Sequence, residues 1–279
     1  MHQFDIQYKE ALRKIMNEGS EEFNERTGHS VMVLPGVTFE IEETFPLLTL
    51  RKIPTKLFIA EQIWFISGSD DIDEFEELGR HLKAAWGDFR ESDGKVAAAY
   101  GDRMRKHFGR DQLKDLVEHL TKERGSRHGV VVFWDPADDG LGTGTKKKNV
   151  PCPYTFTVNI IDNKLHFHII IRSNDMMLGC PHDMAGFALM QAILAGKVGA
   201  GVGKMTYSIS NAHIYDIHYD QAREIIEREN DHKPILFEAQ ENYFDRAEKG
   251  DATLLEEIFE KLNSQYNPLP PIKGMGLVL

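Results

Sequence analysis

Apolar residues recur at helical spacing over residues 4–18 (FDIQYKEALRKIMNE) and stop at Gly19, which predicts an N-terminal helix. Residues 31–43 (VMVLPGVTFEIEE) alternate instead and predict a strand, with Pro35-Gly36 marking a bulge or turn. Residues 57–67 (LFIAEQIWFIS) are apolar on nearly every side, as in a buried helix, yet Glu61 lies among them. Residues 70–83 are acidic and predict an exposed helix, a solvated charged face. Residues 111–122 form an amphipathic helical pattern ending near Gly125, and residues 129–134 read as a buried strand. Two alternating runs after residue 150 meet at Asp162-Asn163, a β-hairpin signature. An apolar helix over 184–198, a strand over 205–215 and charged helices over 217–229 and 251–264 follow, then an apolar, Pro-rich tail over 266–279.

Composition narrows the class. A chain of 279 residues can bury one substantial core, and with no repeat or clear linker the expectation is a single catalytic domain over residues 1–279. A net charge of −11 argues against nonspecific binding of nucleic acid, although a few local arginines suffice for one phosphate. No apolar run approaches the roughly 18–20 residues of a membrane span, and the N-terminus has no basic-then-apolar signal pattern. Two cysteines cannot make a disulfide framework, so a reduced cytoplasmic location is expected.

The chemistry concentrates between residues 150 and 187. Cys152 sits between Pro151 and Pro153, and Arg172, Ser173, Asp175, Gly179 and Asp183 follow within some thirty residues. A thiol, a guanidinium, a hydroxyl and carboxylates at this density form an active-site inventory rather than a packing pattern. Cys180 is the other thiol; its Leu-Gly-Cys-Pro setting reads as a small buried hydrophobe, so Cys152 is the preferred nucleophile. Glu61 among apolar neighbours must be paired or functional. His166 and His168 alternate onto one strand face, but no third ligand is evident and no metal is expected. Residues 136–149 (PADDGLGTGTKKKN) contain Gly140-Leu141-Gly142-Thr143-Gly144; the spacing fits neither a Walker A nor a dinucleotide fingerprint, so a mobile active-site flap is expected.

Pro151-Cys152-Pro153 and Arg172-Ser173-Asn174-Asp175…Gly179-Cys180-Pro181-His182-Asp183 resemble the nucleophile and second motifs of the thymidylate synthase family. Arg26-Thr27-Gly28, Phe45-Pro46-Leu47-Leu48-Thr49, Glu61…Trp64-Phe65…Gly68, Tyr100-Gly101, Ser126-Arg127 and His213-Ile214-Tyr215 resemble further family segments, in order. The resemblance implies an α/β (α+β) fold, with a large mixed sheet flanked by helices on one side and a homodimer through the sheet's other face. It implies a thiolate of Cys152 adding to C6 of a pyrimidine nucleotide, so that C5 attacks the one-carbon unit of 5,10-methylenetetrahydrofolate. Arg26, Arg172 and Ser173 would hold the phosphate, with Arg127 reaching across from the partner subunit. His213 and Tyr215 would contact the sugar 3′-hydroxyl, and Glu61 would act in proton transfer. Trp86, Asp175, Gly179, His182 and Asn149 would face the folate, and the tail would close over it. Taken singly, Arg26 also reads as a solvated loop residue and Trp86 as core.

The departures from the family pattern bear on the substrate. Asp183 stands where thymidylate synthases carry Asn, His182 for Phe, Pro153 for His, His128 for Arg and Asn149 for Leu. An Asn amide matches the N3–H and O4 of uracil; a carboxyl that can carry a proton matches the N3 and 4-amino group of cytosine. Asp at this position resembles the deoxycytidylate hydroxymethylase branch, although Asp183 also reads as a helix cap. Polar Asn149 and His182 near the one-carbon unit favour water addition, hence hydroxymethyl transfer to dCMP. The alternatives are methyl transfer to dCMP, hydroxymethylation of CMP, conventional dUMP-to-dTMP synthesis, and an inactive nucleotide-binding homologue.

Overall fold

The computed structural model describes residues 2–142 and 147–278. Its strands are β1 (Ser20–Asn24), β2 (His29–Ile41), β3 (Gly129–Val132), β4 (Pro153–Ile161), β5 (Lys164–Ile171), β6 (Asn174–Asp175) and β7 (Gly201–Tyr215). Its helices are α1 (Gln3–Glu18), α2 (Thr55–Ser67), α3 (Glu76–Trp86), α4 (Tyr100–Arg105), α5 (Gln112–Lys122), α6 (Gly179–Lys197), α7 (Tyr219–Glu227), α8 (Tyr243–Glu248) and α9 (Ala252–Asn263). The strands make one mixed sheet in the order β1-β2-β7-β5-β4-β3, with β6 added beside β7. Pairing is antiparallel except for β5 and β6 on β7, and α6 carries the chain from β6 back to the start of β7.

The period-two pattern fixes which sheet face is covered. Phe39, Phe156, Val158, Phe167, Ile169, Met205, Tyr207 and Ile209 point inward and are buried under the helices. The intervening Thr38, Thr155, Thr157, His168, Thr206 and Ser208 face the other way and remain partly or fully exposed. The helices α2 and α6 are apolar all round because they are enclosed on every side: α6 packs on α2, α8, β5 and β7. By contrast α5 is amphipathic, and Asp111 caps it by accepting from the Lys114 N–H at 3.0 Å.

Most predicted elements are present. The hairpin turns at Asp162 and Asn163, both in the left-handed region (φ 50° and 59°), as a two-residue turn requires. Pro35-Gly36 makes no turn: β2 runs through it, Pro35 pairing with Asn211 and Val37 with Ile209, with Gly36 at φ 73°. The acidic helix begins only at Glu76, because Ser69 and Asp71 side chains bond the backbone at Asp71 and Asp73 and hold residues 69–73 in turns. The helix expected from 184 begins at Gly179. Proline at its third position, Pro181, lies in the first turn, where no backbone N–H is needed. Asp183 therefore lies inside α6 and does not cap it.

This topology converges on one end of the sheet. Because β4 runs antiparallel to β5, the start of β4 meets the end of β5. Because β5 and β6 run parallel to β7, their C-terminal ends lie beside residues 212–215. The sequence segments around Cys152, Arg172, Asp175 and His213 thus become neighbours.

Candidate active site

Cys152 sits just before β4, where the register with β5 shifts between Pro153 and Thr155. Its N–H donates to the Tyr100 hydroxyl at 3.3 Å, and its carbonyl accepts from the Arg172 N–H at 2.8 Å. The Arg172 guanidinium ties down the same loop: Nε donates to the Pro151 carbonyl (2.8 Å) and Nη2 to that of Val150 (3.2 Å), while the group lies 5.7 Å from the Trp134 ring centre. Burial pushes the Cys152 thiol up; Arg172, a hydrogen bond from Tyr100 and Arg26 work against it, and Asp183 adds to it. Cys180 is completely enclosed, and burial pushes its thiol much further up.

A cavity of about 520 Å³ adjoins this loop, lined by Arg26, Arg172, Ser173, Asn211, His213 and Tyr215 among others. Arg26 reaches it from a turn built on Asn24, whose side chain accepts from the Arg26 N–H at 3.1 Å, with Gly28 at φ 70° closing the turn. His213 Nδ1 bonds Asn211 Oδ1 at 3.0 Å, its ring meets Tyr215 edge-on at 5.1 Å, and burial lowers its pKa. Glu22 and Glu25 line the same cavity, so its positive field comes from the two arginines alone. Arg127 does not line it; it is exposed in the turn before β3.

Asp183 does not line this cavity, but its charge acts on the Cys152 thiol. Its Oδ2 accepts from Asn174 Nδ2 at 2.7 Å and from the Tyr207 hydroxyl at 3.4 Å, and Asn174 Nδ2 also lies 3.1 Å from that hydroxyl. Oδ1 has no hydrogen-bond partner among the described residues. Burial raises the Asp183 pKa to about 6; Glu61 adds to this, and the His182 charge and the two hydrogen bonds oppose it.

Glu61, from α2, is held at both oxygens. Trp86 Nε1 donates to Oε1 at 2.6 Å, and His182 Nε2 bonds Oε2. Trp86 is buried against Trp64, Phe65, Phe89 and Tyr100, so its ring is core and its N–H is a ligand to Glu61. Burial alone disfavours the His182 imidazolium, but the charge of Glu61 and the hydrogen bond to it outweigh this and raise the pKa. Asn149 is buried and donates to the carbonyls of Ala97 (3.0 Å) and Ala98 (3.3 Å), bracing Ala98 in the left-handed region at φ 53°. Asp175 Oδ1 accepts from the Met177 N–H at 2.8 Å, and burial raises its pKa. A Cβ at Gly179 would meet Asn174 and Asp183 Oδ2 at 3.6 and 3.7 Å, ordinary contact, so sterics do not demand glycine there.

Four residues of this cluster were given no role from the sequence, although Tyr100 and Asn174 stand in the motifs quoted above. Tyr100 had a signal, its Tyr-Gly pair. Asn174 and Tyr207 touch Asp183 only because β6 and β7 adjoin. Arg51, buried and donating to the Met177 carbonyl, keeps an unpaired Nε beside α6. His166 and His168 have separate partners, the Lys204 N–H at 3.2 Å and Ser208 Oγ at 3.1 Å. Among the described residues only His107, Asp135 and Asp138 have metal-ligand spacing, and Arg103 and Lys147 face the same carboxylates. Residues 143–146 of the expected flap lie outside the described residues. No helix among the described residues is long and apolar enough to cross a membrane.

The family model described as thymidylate synthase matches residues 6–274. A curated protein from Bacillus spizizenii, Thymidylate synthase 1, is 30% identical over 256 residues, covering 85% of this chain and 88% of that protein. With the mixed sheet and the clustered thiol, arginines and carboxyls already in place, the chain belongs to the thymidylate synthase family, which transfers one-carbon units from methylenetetrahydrofolate to a pyrimidine nucleotide.

Proposed function

We propose that this protein hydroxymethylates dCMP at C5 through a Cys152 thiolate adduct at C6. The observation that carries the base preference is the Asp183 carboxyl. Two donors occupy its Oδ2, so a proton resides on Oδ1, the oxygen without a partner. With a pKa of about 6 the group exchanges that proton near neutrality. An Oδ1–H meets the acceptor N3 of cytosine. Moving the proton toward N3 spreads the charge that thiolate addition pushes into the ring. A uracil N3–H facing that proton leaves one donor unpaired.

Arg26, Arg172 and Ser173 bind the phosphate in this reading, and His213 and Tyr215 the 3′-hydroxyl. The folate supplies a one-carbon unit. Trp86, Asp175, Gly179, His182 and Asn149 form its site, with the tail beside it. The Leu269 N–H bonds the Thr49 carbonyl at 2.8 Å, which supports this placing of the tail. Arg127 acts on the phosphate of a partner subunit in a homodimer formed through the uncovered sheet face, where Val130 and Val132 are exposed. The whole chain acts as one catalytic domain in the cytoplasm.

A second reading is conventional dTMP synthesis, favoured by the relative named Thymidylate synthase 1. Incubation with methylenetetrahydrofolate and equimolar dCMP, CMP and dUMP, followed by product mass spectrometry, separates the readings. Hydroxymethylated dCMP is expected. Methylated dCMP retains the base preference and removes water addition; a product from dUMP alone overturns the proposal. Cys152→Ala is expected to abolish the covalent adduct in either case.

A further inference from the structure

The chain carries an imidazole where the family pattern has an apolar ring, and the structure gives that imidazole a specific neighbour. His182 sits in the first turns of α6, its Nε2 on Glu61 Oε2 and its ring edge-on to Phe58 at 6.1 Å. A carboxylate accepts, so Nε2 carries the proton and Nδ1 keeps the lone pair. Nδ1 has no hydrogen-bond partner among the described residues. Unlike both ring nitrogens of His218, it is not sealed from solvent. Each Glu61 oxygen already accepts one of these N–H donors, Trp86 at Oε1 and His182 at Oε2. The neutral imidazole offers a nitrogen lone pair that no described residue occupies.

We propose that His182 is the general base for water addition in the hydroxymethyl transfer, with Glu61 as the positioning residue that fixes its tautomer and Trp86 fixing Glu61. This inference rests on the hydroxymethylation reading above. A carboxylate that orients an imidazole, which in turn activates an oxygen nucleophile, is a recurrent constellation on unrelated folds. The step balances without a redox partner. The water oxygen bonds to the exocyclic methylene carbon on C5 and gives its proton to Nδ1, while the methylene π pair moves into the ring. That pair then re-forms C5=C6 as the C6–Sγ bond breaks, and sulfur departs as the Cys152 thiolate. No hydride moves, so the folate is released as tetrahydrofolate rather than dihydrofolate.

The charged groups that face His182 are Glu61 from α2, Asp183 on its own helix and Arg51 from the segment before α2. Two carboxyls against one guanidinium favour the imidazolium, so the free base appears only as pH rises. Hydroxymethylation is expected to climb with pH through the His182 transition.

The test compares wild type with His182→Gln and His182→Phe between pH 5.5 and 9. Glutamine keeps a donor to Glu61 without a basic nitrogen, and thermal unfolding verifies that both variants fold. Both are expected to form the Cys152-linked adduct, seen by intact-protein mass spectrometry. They are expected to release hydroxymethyl product about 100-fold more slowly and without the rising pH limb. A His182→Gln protein with wild-type rate and pH profile overturns the inference while leaving hydroxymethylation standing. A wild type that yields only methylated product overturns both. Independently of turnover, ¹⁵N resonances of labelled histidine should show His182 as the Nε2–H tautomer when neutral. Its pKa should fall in Glu61→Gln; an unmoved pKa overturns the pairing.

Discussion

Asn174 and Asp183, nine positions apart on β6 and α6, share a hydrogen bond of 2.7 Å from Nδ2 to Oδ2 that leaves the other carboxyl oxygen without a partner among the described residues. In the proposed function this contact leaves Oδ1 as the atom of Asp183 that reads the base. Asp183→Asn replaces the exchangeable proton by a fixed amide, the pattern that uracil satisfies. Activity with dCMP is expected to fall by roughly 100- to 10,000-fold and activity with dUMP to rise. Steady-state kcat/KM on both nucleotides checks this; an unchanged ratio would remove Asp183 from base selection.

The same residue makes stability pH-dependent. Its pKa of about 6 in the folded protein exceeds the ordinary carboxylate value, so the folded state binds the proton more tightly than the unfolded chain. Ionising Asp183 therefore costs stability. The cost is absent below the unfolded pKa, grows as pH rises and is complete above about 6. It amounts to about 3 kcal/mol. Asp183→Asn should thus be more stable than wild type at pH 8 and should lose that advantage at pH 4. Parallel urea titrations at the two pH values measure it.

Arg172 and Arg26 line one cavity but differ in attachment. Arg172 also bonds the carbonyls of Val150 and Pro151, on the loop that carries the thiol, whereas Arg26 lies on an exposed turn. Arg172→Lys cannot reproduce both bonds and is expected to lower kcat and raise KM together. Arg26→Ala is expected to raise KM about 10- to 100-fold at nearly constant kcat. The Arg26 effect should vanish with an unphosphorylated nucleoside; equal losses on nucleoside and nucleotide would place Arg26 off the phosphate.

A buried ion pair anchors the segment leading into the nucleophile loop. Arg103 and Asp139 are both fully buried and lie 2.8 Å apart, and Asp138, 3.4 Å from the same guanidinium, is 37% exposed. Asp139→Ala leaves a buried cation and should cost about 3–5 kcal/mol. Asp138→Ala should cost about 1 kcal/mol or less. Chemical denaturation of the two variants distinguishes them; equal losses would mean that the carboxylates substitute for one another.

The sequence made the large elements legible because their periodicity was unambiguous: the alternation of β2, β4, β5 and β7, the apolar α2 and the Asp162-Asn163 turn. It hid β1, a polar edge strand that exists only by pairing with β2, and α8, a helix of six residues. It placed the start of α6 five residues late because Gly179 and Pro181 read as breakers. The cluster of thiol, arginines and carboxyls was visible as spacing. The contacts that set its chemistry were not: Tyr100 reaches Cys152 across 52 residues and His182 reaches Glu61 across 121. Arg127 stands apart from the other phosphate candidates, exposed in the turn before β3.

His182 and Asp183 are consecutive, yet α6 aims them at different neighbours, one at Glu61 on α2 and the other at Asn174 and Tyr207 on the sheet. Together they fix the azimuth of the helix: a rotation that tightened one contact would open the other. On the proposed function, the choice of base and the fate of the transferred carbon would both rest on two adjacent codons in one helix. Small shifts of α6 cannot trade one against the other. Retuning either property alone requires a substitution, and a drift between substrates or products would begin at this dipeptide.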